Sequence, residues 1–171
     1  MTGGLKLMNP MLKKLVDQNF MTEAQAAYLE EAVGRQDTVI VSGHKGWGIL
    51  PLMATLSAVA KSKFSIKQVK SFDDLADEAQ YYIIADLSDI DFAKLIADTI
   101  SIQNTSMITI KDPDHPFSLY KILGDVYKAT GDTSKTFQVA ECCKENGEKK
   151  LAKITQVTYN ESGKLVKVDF K

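Results

Sequence analysis

The run Thr38-Val39-Ile40-Val41-Ser42 is a β-branched strand that leads into Gly43-His44-Lys45-Gly46-Trp47-Gly48 and then into an apolar stretch from Ile49. Three glycines between a strand and a helix turn backbone N–H groups and a helix N-terminus toward an anion, which is phosphate-binding chemistry. Gly43 and Gly48 hold the first and sixth places of the spacing G-x-x-x-x-G-K-[ST]. The two side chains that do the electrostatic and metal work are replaced. Ile49 stands where a lysine would reach the β- and γ-phosphates, and Leu50 where a hydroxyl would hold Mg²⁺. Lys45, inside the loop, is a substitute cation whose direction the spacing leaves open. The plainer alternative is that the glycines only permit a tight turn.

Other candidates are sparser. Trp47 is the only tryptophan; it packs as an ordinary core residue, fills the vacated site or docks a partner. Asp86 ends an apolar run, where α/β proteins place carboxylates that face a ligand, a metal or a water. It reads equally well as a cap for the next helix, because Ser88 and Asp89 crowd the same boundary. Asp73, Asp74, Asp77 and Glu78 could supply another carboxylate or form a solvated acidic face. His44 and His115 lie far apart and read as surface or loop histidines. No Cys/His metal spacing, catalytic triad or nucleophile elbow is visible.

These residues need a scaffold, and 171 residues are enough for one core. Apolar residues at 44% and charged residues at 25% are ordinary for a globular chain. A formal net charge of −1 supplies no field to attract nucleic acid. No run is long and apolar enough to span a bilayer, and the opening residues 1–8 are too briefly apolar for a signal peptide. Cys142 and Cys143 are adjacent and point to opposite faces of a strand, so no disulfide framework is expected and a reducing, cytoplasmic setting is.

The elements alternate. A short helix over 10–19 presents Met11, Leu12, Leu15 and Val16, and Thr22 with Gln25 forms a capping box for a helix to about 35. Strands are expected over 38–42, 64–69, 81–86 and 106–110, with helices over 51–61, 89–100 and 116–129 and an acidic, helical stretch over 72–79. That pattern predicts a parallel sheet with helices on both faces. Three β-rich runs follow, over 136–143, 149–158 and 163–170, joined by Glu145-Asn146-Gly147 and Asn160-Glu161-Ser162-Gly163. Both joints are hairpin chemistry, so the tail reads as an antiparallel meander with a solvated lysine-rich face.

In order and spacing, residues 12–170 resemble the type II/IV secretion and pilus traffic ATPases, especially the tight-adherence pilus branch. Residues 15–33 resemble that family's helix-turn-helix, and Val39 to Gly48 its strand and Walker A loop. Ile83-Ile84-Ala85-Asp86 falls where the family carries its Walker B strand and glutamate. Thr109-Ile110-Lys111 falls at its Thr-Ile-His motif, and Ser118-Leu119 with Lys121-Ile122 at its small-residue helix with Arg-Leu. Phe137 to Ala140 and Gly147 to Val157 resemble its closing strands.

The departures are systematic. Walker A lacks its lysine and hydroxyl, Asp86 replaces the glutamate and Lys111 the histidine, and the aspartate box shrinks to Asp73-Asp74. The family's large N-terminal domain has no counterpart in these residues. The resemblance therefore implies an α/β, RecA-like P-loop NTPase core with a C-terminal antiparallel β-meander. Helices in 1–36 would pack on a degenerate core over 37–130, with the meander over 131–171. It implies a non-catalytic pseudo-ATPase that self-associates, as the hexameric family does, or docks onto a secretion, pilus or conjugation protein beside a membrane apparatus. No cofactor is expected beyond phosphate, sulfate or a weakly held nucleotide at Gly43, His44, Lys45, Gly46, Trp47 and Gly48. The alternative is an ATPase with a rearranged site that uses Lys45 or Lys111, with Asp86 managing Mg²⁺. A DNA-transfer accessory role is the third reading, which the near-neutral charge disfavours.

Overall fold

A computed structural model describes residues 8–171. The opening residues 1–7, on which most of the signal-peptide reading falls, lie outside the described residues. Two helices come first, α1 (Pro10–Asp17) and α2 (Glu23–Gly34), and the capping box expected at Thr22 and Gln25 is formed. Then come β1 (Thr38–Ser42), α3 (Ile49–Lys63), β2 (Ile66–Gln68), a 3-10 turn over Phe72–Ala76, and β3 (Tyr81–Ile84). They are followed by α4 (Phe92–Ile100), β4 (Ser106–Lys111), α5 (Leu119–Thr130), β5 (Phe137–Glu145), β6 (Glu148–Tyr159) and β7 (Leu165–Asp169).

The seven strands form one sheet in the order β2-β3-β4-β1-β5-β6-β7. From β2 to β5 neighbours are parallel, and β5, β6 and β7 pair antiparallel. This is the α/β arrangement that the sequence predicts, a mainly parallel sheet with helices on both faces and a terminal antiparallel meander. β1 lies between β4 and β5, so the chain leaves it toward one edge and later crosses it to reach the other side. The carboxyl end of such a strand is a topological switch point, where a crevice opens for a ligand.

Alternate residues of β1 enter two cores. Val39 and Val41 join α1, α2 and α3 on one face; Ile40 joins α4 and α5 on the other. Burial on both faces explains why these strands read as continuous apolar runs instead of alternating ones. Several expected bounds move. Helix α3 begins at Ile49, two residues before Pro51, because the left-handed Gly48 caps it. The expected strand over 64–69 reduces to three paired residues at the sheet edge, and Met11 is exposed instead of buried. The acidic stretch is a 3-10 turn over Phe72–Ala76, opened by a capping box in which Asp74 Oδ2 accepts the Lys70 and Ser71 N–H groups.

Asn146 and Gly147, both at positive φ, make the two-residue turn between β5 and β6. The hairpin reaches back to the N-terminal helices. Leu151 N–H donates to the Phe20 carbonyl at 2.8 Å, and the Gln25 amide donates to the Leu151 carbonyl at 3.2 Å. Tyr28 of α2 stacks on Phe170 with ring centroids 4.3 Å apart.

Candidate functional site

The loop after β1 is built by its glycines. Gly43 N–H donates to the Lys111 carbonyl at 3.0 Å, and a Cβ there would lie 3.0 Å from the Cys142 carbonyl. Its φ of 148° and the φ of 93° at Gly48 are backbone states that glycine alone adopts cheaply. Trp47 N–H donates to the His44 carbonyl at 3.1 Å and closes a turn inside the loop. The Trp47 ring lies 4.2 Å from the His44 ring and rests half-buried on the core.

Ile49, at the first position of α3, is fully buried among apolar side chains, so the place of a phosphate-binding lysine is part of the core. Leu50 beside it is 39% exposed. The helix N-terminus carries no side-chain cap, which leaves its N–H groups without a side-chain acceptor there.

Lys45 has a definite destination. Its Nζ lies 2.9 Å from Asp86 Oδ2 and 3.5 Å from Asp114 Oδ2, and the bond to Asp86, outweighing desolvation, raises its pKa. Asp86 therefore holds a lysine, and it does so from the loop after β3, which ends at Ile84 and not at residue 86, as a bridge between loops. Its other oxygen, Oδ1, lies 3.1 Å from His115 Nε2.

His115 corrects the reading of a surface histidine. It is 4% exposed, with Phe92 against its ring at 4.7 Å between centroids. The sequence signal was there in Lys111-Asp112-Pro113-Asp114-His115-Pro116, where two prolines fix a tight turn. In that turn Asp112 Oδ1 accepts from the His115 N–H at 2.8 Å, the Asp114 N–H at 3.1 Å and His115 Nδ1 at 2.7 Å. His115 Nε2 faces the Leu87 carbonyl at 2.7 Å. Acceptors at both ring nitrogens call for an imidazolium. Burial alone would lower its pKa, but Asp112, the Leu87 carbonyl and Asp86 together raise it. Asp112 is buried, and its Oδ2 meets no donor among the described residues.

Lys111 ends β4 in register with Ser42. Its Nζ lies 5.9 Å from the Phe117 ring centroid and forms no ion pair among the described residues. A cleft of about 410 Å³ separates the loop from this strand end, lined by Ser42, Gly43, His44, Trp47, Lys111 and Asp112 among others. Lys45, Asp86 and His115 thus come together beside it. Asp74 and Asp77 instead hold Lys67 at the sheet edge, at 3.7 and 2.6 Å. Among the described residues no three His, Cys, Asp or Glu side chains converge to hold a metal ion.

No protein-family model matches the sequence, and no curated protein does. Among solved structures, the chain is similar to the VirB11 ATPase from the Brucella suis type IV secretion system, whose crystal structure is a complex with sulphate. The TM-score is 0.46 and the identity 11%, over 90% of this chain and 57% of that one. This chain spans a little over half the length of that one, and no residue role passes from one to the other.

What the arrangement does chemically is cross-link. Lys45 from the β1–α3 loop, Asp86 from the β3–α4 loop, and Asp112, Asp114 and His115 from the β4–α5 loop form one chain of ion pairs. The described residues include no helix long and apolar enough to cross a membrane.

Proposed function

We propose that this chain is a binding or regulatory subunit that retains a phosphate-loop fold without nucleotide turnover. In this reading it self-associates or docks onto a secretion, pilus or conjugation apparatus from the cytoplasmic side. The observation that supports it is the fate of the two loop positions that could carry cationic chemistry. Ile49 is buried in the core, and Lys45 is tied to Asp86 and Asp114. A triphosphate entering the loop would meet carboxylates already bonded to the loop's lysine, and no partner at the usual lysine position. The fold's surfaces then carry its work.

Calorimetry with ATP, ADP and GTP, each with and without Mg²⁺, paired with a phosphate-release assay, tests the catalytic half. No heat and no release are expected, and turnover overturns it. A chain that stays monomeric and captures no component of such an apparatus overturns the other half.

One observation favours the alternative of a rearranged nucleotide site. Lys111 lines the cleft next to Gly43 and has no ion pair among the described residues. Heat with nucleotide that vanishes in Lys111→Ala and persists in Lys45→Ala would select that reading.

A further inference from the structure

The two edges of the sheet end differently. β2 is three residues long, and its Lys67 is tied to Asp74 and Asp77. β7 is five residues long and pairs with β6 alone, so its outer side meets no strand among the described residues. An open edge presents a row of unpaired N–H and C=O groups to any strand that fits it. Phe170 N–H donates to the Ile154 carbonyl, and the Lys164 carbonyl accepts from the Asn160 N–H. Backbone direction alternates along a strand, so Val166 and Val168 also turn their backbone groups to β6. Leu165, Lys167 and Asp169 turn theirs outward.

The side chains do not guard this edge. Val168 is 55% exposed and Val166 41%, on the face where Phe170 stacks against Tyr28. On the other face Lys167 Nζ lies 3.7 Å from the ring centroid of Tyr120, which is also exposed. Three of the five large apolar side chains exposed among the described residues therefore gather here. Asp169 shares the face of Lys167. Its Oδ1 accepts from Thr155 Oγ1 at 2.9 Å, and its Oδ2 has only Lys153, at 3.6 Å, among the described residues. That oxygen has room for a closer cation.

The charges select both the occupant and the register. A twofold axis across the edge lays β7 antiparallel on a copy of itself, with outward residues opposite outward residues. Centred on Lys167, the pairing puts that lysine opposite its own copy, a like-charge contact. Centred on Val168, it puts Lys167 of each copy opposite Asp169 of the other, Val168 opposite Val168, and Val166 opposite Phe170. Lys167 and Asp169 then exchange backbone hydrogen bonds while their side chains pair opposite charges, twice by symmetry. Both valines gain apolar neighbours on the other face. The strand supplies to itself every complement that its edge asks for.

We infer that the outer edge of β7 seats β7 of a second copy of this chain, antiparallel across a twofold axis at Val168, with Lys167 of each copy opposite Asp169 of the other. This rests on the self-association reading above and gives it a surface.

Sedimentation velocity of the full chain over a concentration series, with amide hydrogen exchange on the same samples, tests it. A dimer is expected. As it forms, exchange at the Lys167 and Asp169 amides slows, while Val166 and Val168, already turned to β6, change little. Lys167→Glu and Asp169→Lys each place like charges at both contacts and should weaken the dimer about tenfold. Their equimolar mixture is expected to restore it, because both contacts then pair opposite charges. Lys167→Pro removes an outward N–H and no bond to β6, and should give a monomer. Thermal melting confirms that the variants fold. A wild-type monomer at every concentration overturns the inference and leaves the docking half of the proposed function standing. A dimer that leaves exchange at Lys167 and Asp169 unchanged, or that withstands Lys167→Pro, also overturns it, while self-association survives on another face. A dimer that protects those amides but ignores both charge variants overturns the register, and the inference with it.

Discussion

The Nζ of Lys45 lies 2.9 Å from Oδ2 of Asp86, and this pair spans the position of β4, which separates their two strands in the sheet. The only lysine of the glycine loop is thereby committed to a partner inside the protein.

Removing that partner's charge releases the lysine. In Asp86→Asn, Lys45 keeps only the longer contact to Asp114, so inorganic phosphate is expected to perturb the amide resonances of residues 43–48 more strongly than in wild type. The difference should shrink in salt, since both groups are at the surface. Equal phosphate titrations of the two proteins would refute the sequestering role of Asp86.

His115 makes stability depend on pH with a definite sign. Its folded pKa lies above the ordinary 6.5, so its contribution is complete below about pH 6.5 and is lost as pH rises through the folded value. Urea midpoints of wild type minus those of His115→Gln should therefore decline as pH rises above 6.5. A difference that grows with pH would contradict the imidazolium assignment.

Asp112 is the more costly member of that pair to remove. It is buried, accepts two backbone N–H groups and the imidazolium, and Asp112→Ala leaves all three donors without it. The expected loss is about 3 kcal/mol in chemical denaturation. Asp112→Asn keeps an acceptor for the turn and should lose less. Equal losses in the two variants would place the cost in packing instead of hydrogen bonding.

Two glycines of one loop separate strain from collision. Gly46 and Gly48 have φ of 88° and 93°, but a Cβ at Gly46 meets open space, whereas one at Gly48 lies 2.5 Å from Phe20 Cε1. Gly46→Ala is expected to cost about 1 kcal/mol from the backbone alone. Gly48→Ala should cost at least about 2 kcal/mol. In the Phe20→Ala background the added cost of Gly48→Ala should fall toward that of Gly46→Ala; a double-mutant cycle with no coupling would reject the collision.

The adjacent thiols should react unequally. Burial pushes the Cys142 thiol up to about 12, while Cys143 is half-exposed on the other face of β5. Iodoacetamide on the native protein is expected to label Cys143 alone, read by peptide mass spectrometry. Labelling of Cys142 at a similar rate would show that β5 opens.

Patterns repeated along the chain were readable without coordinates. The β-branched runs at 38–42 and 106–111 mark central strands because both faces are buried, and Thr22 with Gln25 marks a helix start by local hydrogen bonding. Asn146-Gly147 marks its turn through positive φ. The site was only half readable. Glycine spacing places the loop, but Lys45 finds Asp86 and Asp114 from 41 and 69 positions along the chain, through strand order. His115 looked like a loop histidine because nothing local says that Phe92 covers it and Leu87 accepts from it. Leu50 read as a loss at a phosphate site because it lines a groove whose other wall comes from β2 and β3.

The bond from Leu151 to Phe20 also sets a schedule. At synthesis rates of about 5–20 residues per second, the first two helices exist for roughly ten seconds before the strand that clasps them emerges. During that interval their apolar sides, Leu29 and Val33 among them, have only the nascent β1 and α3 to cover them. Closing a loop of such length comes late and slowly. The N-terminal helices are made first and finished last, and a ribosome-stalled chain ending before the hairpin is the form in which this protein is most exposed to aggregation.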